Sequence, residues 1–158
     1  MDLTHRHYPL TVSERTTWLI LGFIFGALAA LVFQQGALAL LHSFGLTPNA
    51  PYSMNAVPPW GIPQVWSVAF WGGVWGVLLA AAVHRQEGGP LIVYSALFGL
   101  VFPTLAAWFM VAAMKGQPLA AGFEPKRMLV GPIVNLAWGL GTGIALALFA
   151  RSRARPYL

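Results

Sequence analysis

Cysteine is absent from this 158-residue chain. Its absence excludes disulfides, thiolate metal sites and redox dithiols, and with them thiol oxidases and cysteine-dependent enzymes. Formal charge is almost as scarce. The chain has nine Lys and Arg and four Asp and Glu, 8% of its residues, while 58% are hydrophobic; an ordinary soluble domain is roughly 25% charged. So few charges could not cover a water-soluble fold of this length, so lipid must solvate most of its surface. The four acids, Asp2, Glu14, Glu87 and Glu124, all fall in tails or connections. Proton- or cation-coupled transport usually sets a carboxylate inside the membrane. This absence argues against small drug antiporters and proton-channel subunits.

Other chemistries fail on position. Haem held between helices needs two axial ligands at matched depth, commonly His, but His42 and His84 sit at opposite ends of their helices. His5 and His7 form a minimal His-x-His pair, short of the three or four ligands a metal site needs. Ser67 and Ser95 have no His or acid at their depth to serve as a base, as a hydrolase would require. The glycine motifs lie mid-membrane, away from any nucleotide phosphate. The net charge of +5 collects at the ends of apolar runs and forms no basic stripe, which argues against a nucleic-acid partner. The expectation is a protein with no enzymatic activity, no cofactor and no metal.

What the chain does have is four long apolar runs, near residues 16–43, 62–84, 90–114 and 128–150, with an outer loop at 44–61. Each is about 20 residues or more, the length a spanning helix needs; barrel strands would be shorter and would alternate apolar with polar. The expected fold is all-α, an integral membrane four-helix bundle formed by one transmembrane domain over residues 1–158. The first run exceeds what a core of roughly 30 Å requires, so it should tilt or project. It is also far longer than the roughly 7–15 residues of a signal h-region, and reads as an anchor that stays. Arg6, Arg15, Arg85, Arg151, Arg153 and Arg155 fall on one side, Lys115, Lys126 and Arg127 on the other. The positive-inside rule then places both ends in the cytoplasm, in a cell (inner) membrane, multi-pass. Trp18, Trp60 and Trp66 fall near the interfaces, where amphipathic rings are favoured.

The connections differ in kind. The tight turn from His84 to Gly89 predicts that the second and third helices are antiparallel neighbours. The segment from Phe44 to Pro63 contains Pro48, Pro51, Pro58, Pro59 and Pro63, which preclude a helix and favour a stiff, extended path. With Tyr52, Met54, Val57 and Trp60 it should lie against the outer membrane face, either as a cap over its own helix ends or as a docking surface.

The two halves look related. Trp71-Gly-Gly-Val-Trp-Gly76 lines up with Trp138-Gly-Leu-Gly-Thr-Gly143, and Phe25-Gly26 with Phe98-Gly99. Two tandem two-helix hairpins related by an axis along the membrane normal would follow. Each helix also has a pair of small residues at spacing four: Gly22 and Gly26, Gly72 and Gly76, Ser95 and Gly99, Gly139 and Gly143. In lipid, such pairs let backbones approach, within one bundle or between subunits.

Uncharged polar residues gather in the outer half: Gln34, Gln35, His42, Ser67 and Asn135. Pro103 interrupts the third helix and frees a carbonyl one turn earlier. An unpaired amide is costly in hydrocarbon, so Gln34 and Asn135 should face inward and find partners. The pattern predicts a bundle closed toward the cytoplasm and looser on the outer side, its polar groups forming interhelical bonds or lining a small cavity for a neutral ligand. The leading functional expectation is an accessory or structural subunit of a larger membrane complex, whose partners are the lipid bilayer and other membrane subunits or further copies of the chain. The alternative is a small oligomeric transporter, channel or scramblase for a neutral or lipid-like substrate.

Overall fold

A computed structural model describes residues 11–58 and 60–153; Asp2, His5, Arg6, His7, Pro59 and Arg155 lie outside them. Four helices, α1 (Val12–Ser43), α2 (Gln64–Val83), α3 (Gly88–Met114) and α4 (Pro125–Arg153), are each long and apolar enough to cross a membrane. Two begin before the apolar pattern does. Thr11 and Glu14 form a reciprocal capping box that starts α1 before residue 16. In α4, Pro125 takes the first helical position, where a missing N–H costs nothing.

α1 packs on α2, and α3 packs on α4, by direct backbone contact. A Cβ on Gly22 would come within 2.5 Å of the Gly76 carbonyl oxygen. Gly26 meets the Gly72 carbonyl and the Gly76 Cα; Gly99 meets the Asn135 carbonyl and the Gly139 Cα in the same way. Gly76 faces the Gly22 carbonyl as Gly139 faces that of Ser95. These contacts pair Gly76 with Gly139, one helical turn from the Trp71–Trp138 register read from sequence. Environment explains the difference: Trp138 is 2% exposed and Trp71 51%, so Trp75 is the positional counterpart of Trp138.

The two hairpins join along α1 and α4. There the Trp138 indole reaches the Gly26 carbonyl, the Phe33 ring covers Gly141, and Phe25 and Phe149 meet edge to face with centroids 6.3 Å apart. Trp138, Leu79, Leu91 and Leu146 are fully buried in the core. Joined by the short turn, α2 and α3 are neighbours as expected and meet ring to ring at Trp75 and Phe98, but their backbones stay apart beyond the turn. Their facing positions carry Trp75, Phe98 and Phe102, and such rings hold backbones apart where glycines would let them meet.

The proline-rich connection also departs from an extended path. Ala56–Val57 (β1) pairs antiparallel with Ile62–Pro63 (β2), and Gly61 at φ +68° turns the chain between them. Prolines block a helix but allow a two-residue ladder whose other N–H groups remain free to bond. The connection between α3 and α4 holds a left-handed turn, with Ala120, Ala121, Gly122 and Phe123 all at positive φ.

Candidate functional site

Near the loop end, three helices are tied by a chain of side-chain hydrogen bonds. The Gln34 amide on α1 donates from Nε2 to Oδ1 of Asn135 on α4 at 3.0 Å. Asn135 donates in turn from Nδ2 to the Thr104 hydroxyl on α3, also at 3.0 Å. Asn135 and Thr104 are both buried. Asn135 occupies the position equivalent to Gly72, so an amide replaces a bare backbone where the second hairpin meets the first.

Gln34 is aimed at α4 by a local change of helix type. Residues Ala30–Gln34 form a π-helical turn in which the Gln35 N–H reaches back to Ala30 and passes over the Leu31 carbonyl. Leu31 instead accepts the Tyr52 hydroxyl at 2.9 Å. The Gln35 side chain, 5% exposed, accepts the Tyr52 backbone N–H at 2.7 Å. Tyr52 thus holds the loop to α1 at two points, and its φ of +52°, costly for a residue with a Cβ, is fixed by both. A second π-helical turn, Ala106–Val111, follows Pro103 and Thr104 in α3, with the Ala112 N–H reaching Ala107. Wide turns of this kind are rare and recur at functional sites; here both border the same polar chain.

Of the five polar residues singled out from sequence, Gln34 and Asn135 are directly bonded. Gln35 serves the loop. His42 is exposed, and its Nδ1 lies 3.1 Å from the Thr47 carbonyl in a turn of its own. Ser67 is half-buried on α2 and takes no part in the chain of bonds. Sequence reasoning missed Thr104, and it placed Tyr52 in the outer loop without its bonds to α1. The signal for Thr104 was its hydroxyl directly after Pro103 in an apolar run, easily discounted because Thr can bond its own helix. Nothing local marked the bonds of Tyr52 to Leu31 and Gln35.

The space in the bundle is not where the sequence suggested. A cleft of about 490 Å³ runs between α2 and α3, lined among others by Val83, Gln86, Tyr94, Phe98 and Phe102. A smaller one of about 160 Å³ lies between α1 and α4, beside Glu14, Trp18, Phe149 and Arg153. Both reach toward the end that carries Thr11 and Arg153, one at Gln86 and the other at Glu14 and Arg153. At the loop end the amides close on each other, and among the described residues no buried side-chain nitrogen or oxygen lacks a partner. Nor do any three His, Cys, Asp or Glu side chains come together there as a metal site would need. No family model matches the chain, and neither the curated proteins nor the solved structures include one similar to it.

Proposed function

We propose that the chain is a non-enzymatic accessory or structural subunit of a larger assembly in the cell (inner) membrane, with both ends cytoplasmic. The observation that carries this reading is the self-saturation of the bundle: Gln34, Asn135 and Thr104 bond one another, and the helices touch through backbone at Gly22, Gly26, Gly76, Gly99 and Gly139. Such a bundle is a rigid scaffold that directs no buried polar group toward a reactant. Its orientation rests on charge: Arg15, Arg85, Arg151 and Arg153 at the terminal end face Lys115, Lys126 and Arg127 at the loop end. The matched contacts of the two hairpins support an origin as tandem copies. Affinity purification of the full chain in mild detergent should recover partner subunits in fixed stoichiometry. A clean homo-oligomer with nothing else attached would sink this reading.

A second reading, a small oligomeric transporter, channel or scramblase for a neutral or lipid-like substrate, draws on one observation. Both π-helical turns and Pro103 border the same polar chain, so the bonds sit where α1 and α3 depart from regular helix. Flux in proteoliposomes that falls to the level of empty vesicles in Gln34→Leu and Asn135→Leu would favour it. Absence of flux for every substrate class tried would remove it.

A further inference from the structure

The cleft between α2 and α3 and the seam between α1 and α4, closed except for its smaller cleft beside Phe149 and Trp18, are counterparts. The register that pairs Gly76 with Gly139, counted on past the end of α2 at Val83, brings Gln86 of the turn to the place of Phe149, and the one that pairs Gly26 with Gly99 pairs Phe25 with Phe98. In the closed seam, Phe149 fills the space beside Phe25 with an aromatic ring. In the open seam, Phe98 and Gln86 both line the cleft that remains. Along α3 its lining runs from Tyr94 to Phe102, about 12 Å at ~1.5 Å per residue, within a hydrocarbon core roughly 30 Å thick.

Its chemistry changes with depth. The deep wall is apolar, and Tyr94, Leu97, Val101 and Phe102 are about half exposed, so the cleft opens sideways toward lipid. At the membrane surface Gln86 lines it, beside the exposed Arg85 and Glu87 of the turn. Gln86 offers amide N–H donors, Arg85 a guanidinium and Tyr94 a hydroxyl. Those donors match the ester and phosphate oxygens of a lipid headgroup, with Glu87 opposing any excess of negative charge.

We infer that the α2–α3 cleft is a binding site for one membrane glycerophospholipid, an acyl chain lying along Phe98 and Phe102 and the headgroup oxygens held at Gln86 and Arg85. The chain occupies the space that Phe149 fills in the counterpart seam, where an unfilled void would forfeit dispersion contacts. This site stands apart from the accessory-subunit reading and does not depend on which face of the membrane is cytoplasmic.

The test is native mass spectrometry of the full chain, reconstituted in vesicles of phosphatidylcholine and phosphatidylglycerol and then extracted in mild detergent. Wild type should retain one phospholipid per chain. Gln86→Phe, which copies the ring of the closed seam, and Ala82→Trp, which fills the cleft from α2, should each lower the retained fraction by about tenfold, the scale on which one good contact shifts occupancy. Leu148→Trp, on an exposed face of α4, should retain lipid as wild type does. Helical circular dichroism and a monodisperse elution profile, unchanged in Gln86→Phe, separate loss of lipid from loss of fold. Equal retention in all four proteins, no retained lipid in wild type, or a dimer that Gln86→Phe dissociates would each overturn the proposal; the last would mean that a second copy occupies the cleft.

Discussion

The indole N–H of Trp138 donates to the Gly26 carbonyl at 2.9 Å, from a ring only 2% exposed. The bond lands where α1 has no side chain, so the ring of α4 rests on bare backbone and clamps the two hairpins together. Trp138→Phe keeps an aromatic ring and removes the donor. It should lower stability in detergent by roughly 0.6–2 kcal/mol, the range for one interhelical hydrogen bond in a membrane, seen as a lower unfolding midpoint. An unchanged midpoint would show that the bond contributes nothing.

Backbone contact makes a sharper forecast at the glycines. A Cβ at Gly76 would collide with the Gly22 carbonyl, whereas one at Gly36 would meet nothing within 4 Å. Gly76→Ala should cost about 1–3 kcal/mol, as overpacking does. Gly36→Ala should be neutral or slightly stabilising, because alanine favours the helix. Thermal unfolding of both variants in one detergent checks the order. Equal losses would remove close backbone approach as the basis of packing.

The polar chain can be dissected by a double-mutant cycle. Asn135→Leu removes two interhelical bonds and Gln34→Leu one, so Asn135→Leu should be the more costly. The pair should show a coupling of about 0.5–2 kcal/mol. Additive losses would mean that the 3.0 Å contact between them carries no energy.

Tyr52→Phe deletes the hydroxyl that satisfies Leu31 in the wide turn but keeps the ring and the backbone bond to Gln35. Hydrogen exchange should quicken in residues 30–36 and in the loop around residue 52, leaving the rest of α1 protected. Exchange that stays at the wild-type rate in both segments contradicts a clasp at Tyr52.

Much of this architecture is legible in the sequence because hydrocarbon imposes one dominant rule. Runs such as residues 62–84 can satisfy their backbone only as helices, and small residues at spacing four mark where backbones meet. That Gln34 and Asn135 turn inward and find partners was readable for a related reason, since an unpaired amide is costly in lipid; that they bond each other was not. The rest depends on information that letters do not carry. The repeat register followed the Trp-Gly strings, but contact geometry links Trp138 to Trp75, since burial rather than residue identity defines equivalence. The parting of α2 from α3 arises from the volume of Trp75, Phe98 and Phe102, which a short turn does not reveal. Neither π-helical turn has a local signature, because an extra residue in a helix is defined by where its N–H groups bond.

A bundle fastened along one edge and parted along the other resembles a book held by its spine. The α1–α4 seam is the spine, and the turn between α2 and α3 is a short ribbon across the opposite edges of its covers. Spreading the covers strains that ribbon and leaves Gln34, Asn135 and Trp138 in place, all of them on the spine side. Whatever moves in this molecule should therefore do so by angular opening about α1 and α4, with the least displacement near Gly26.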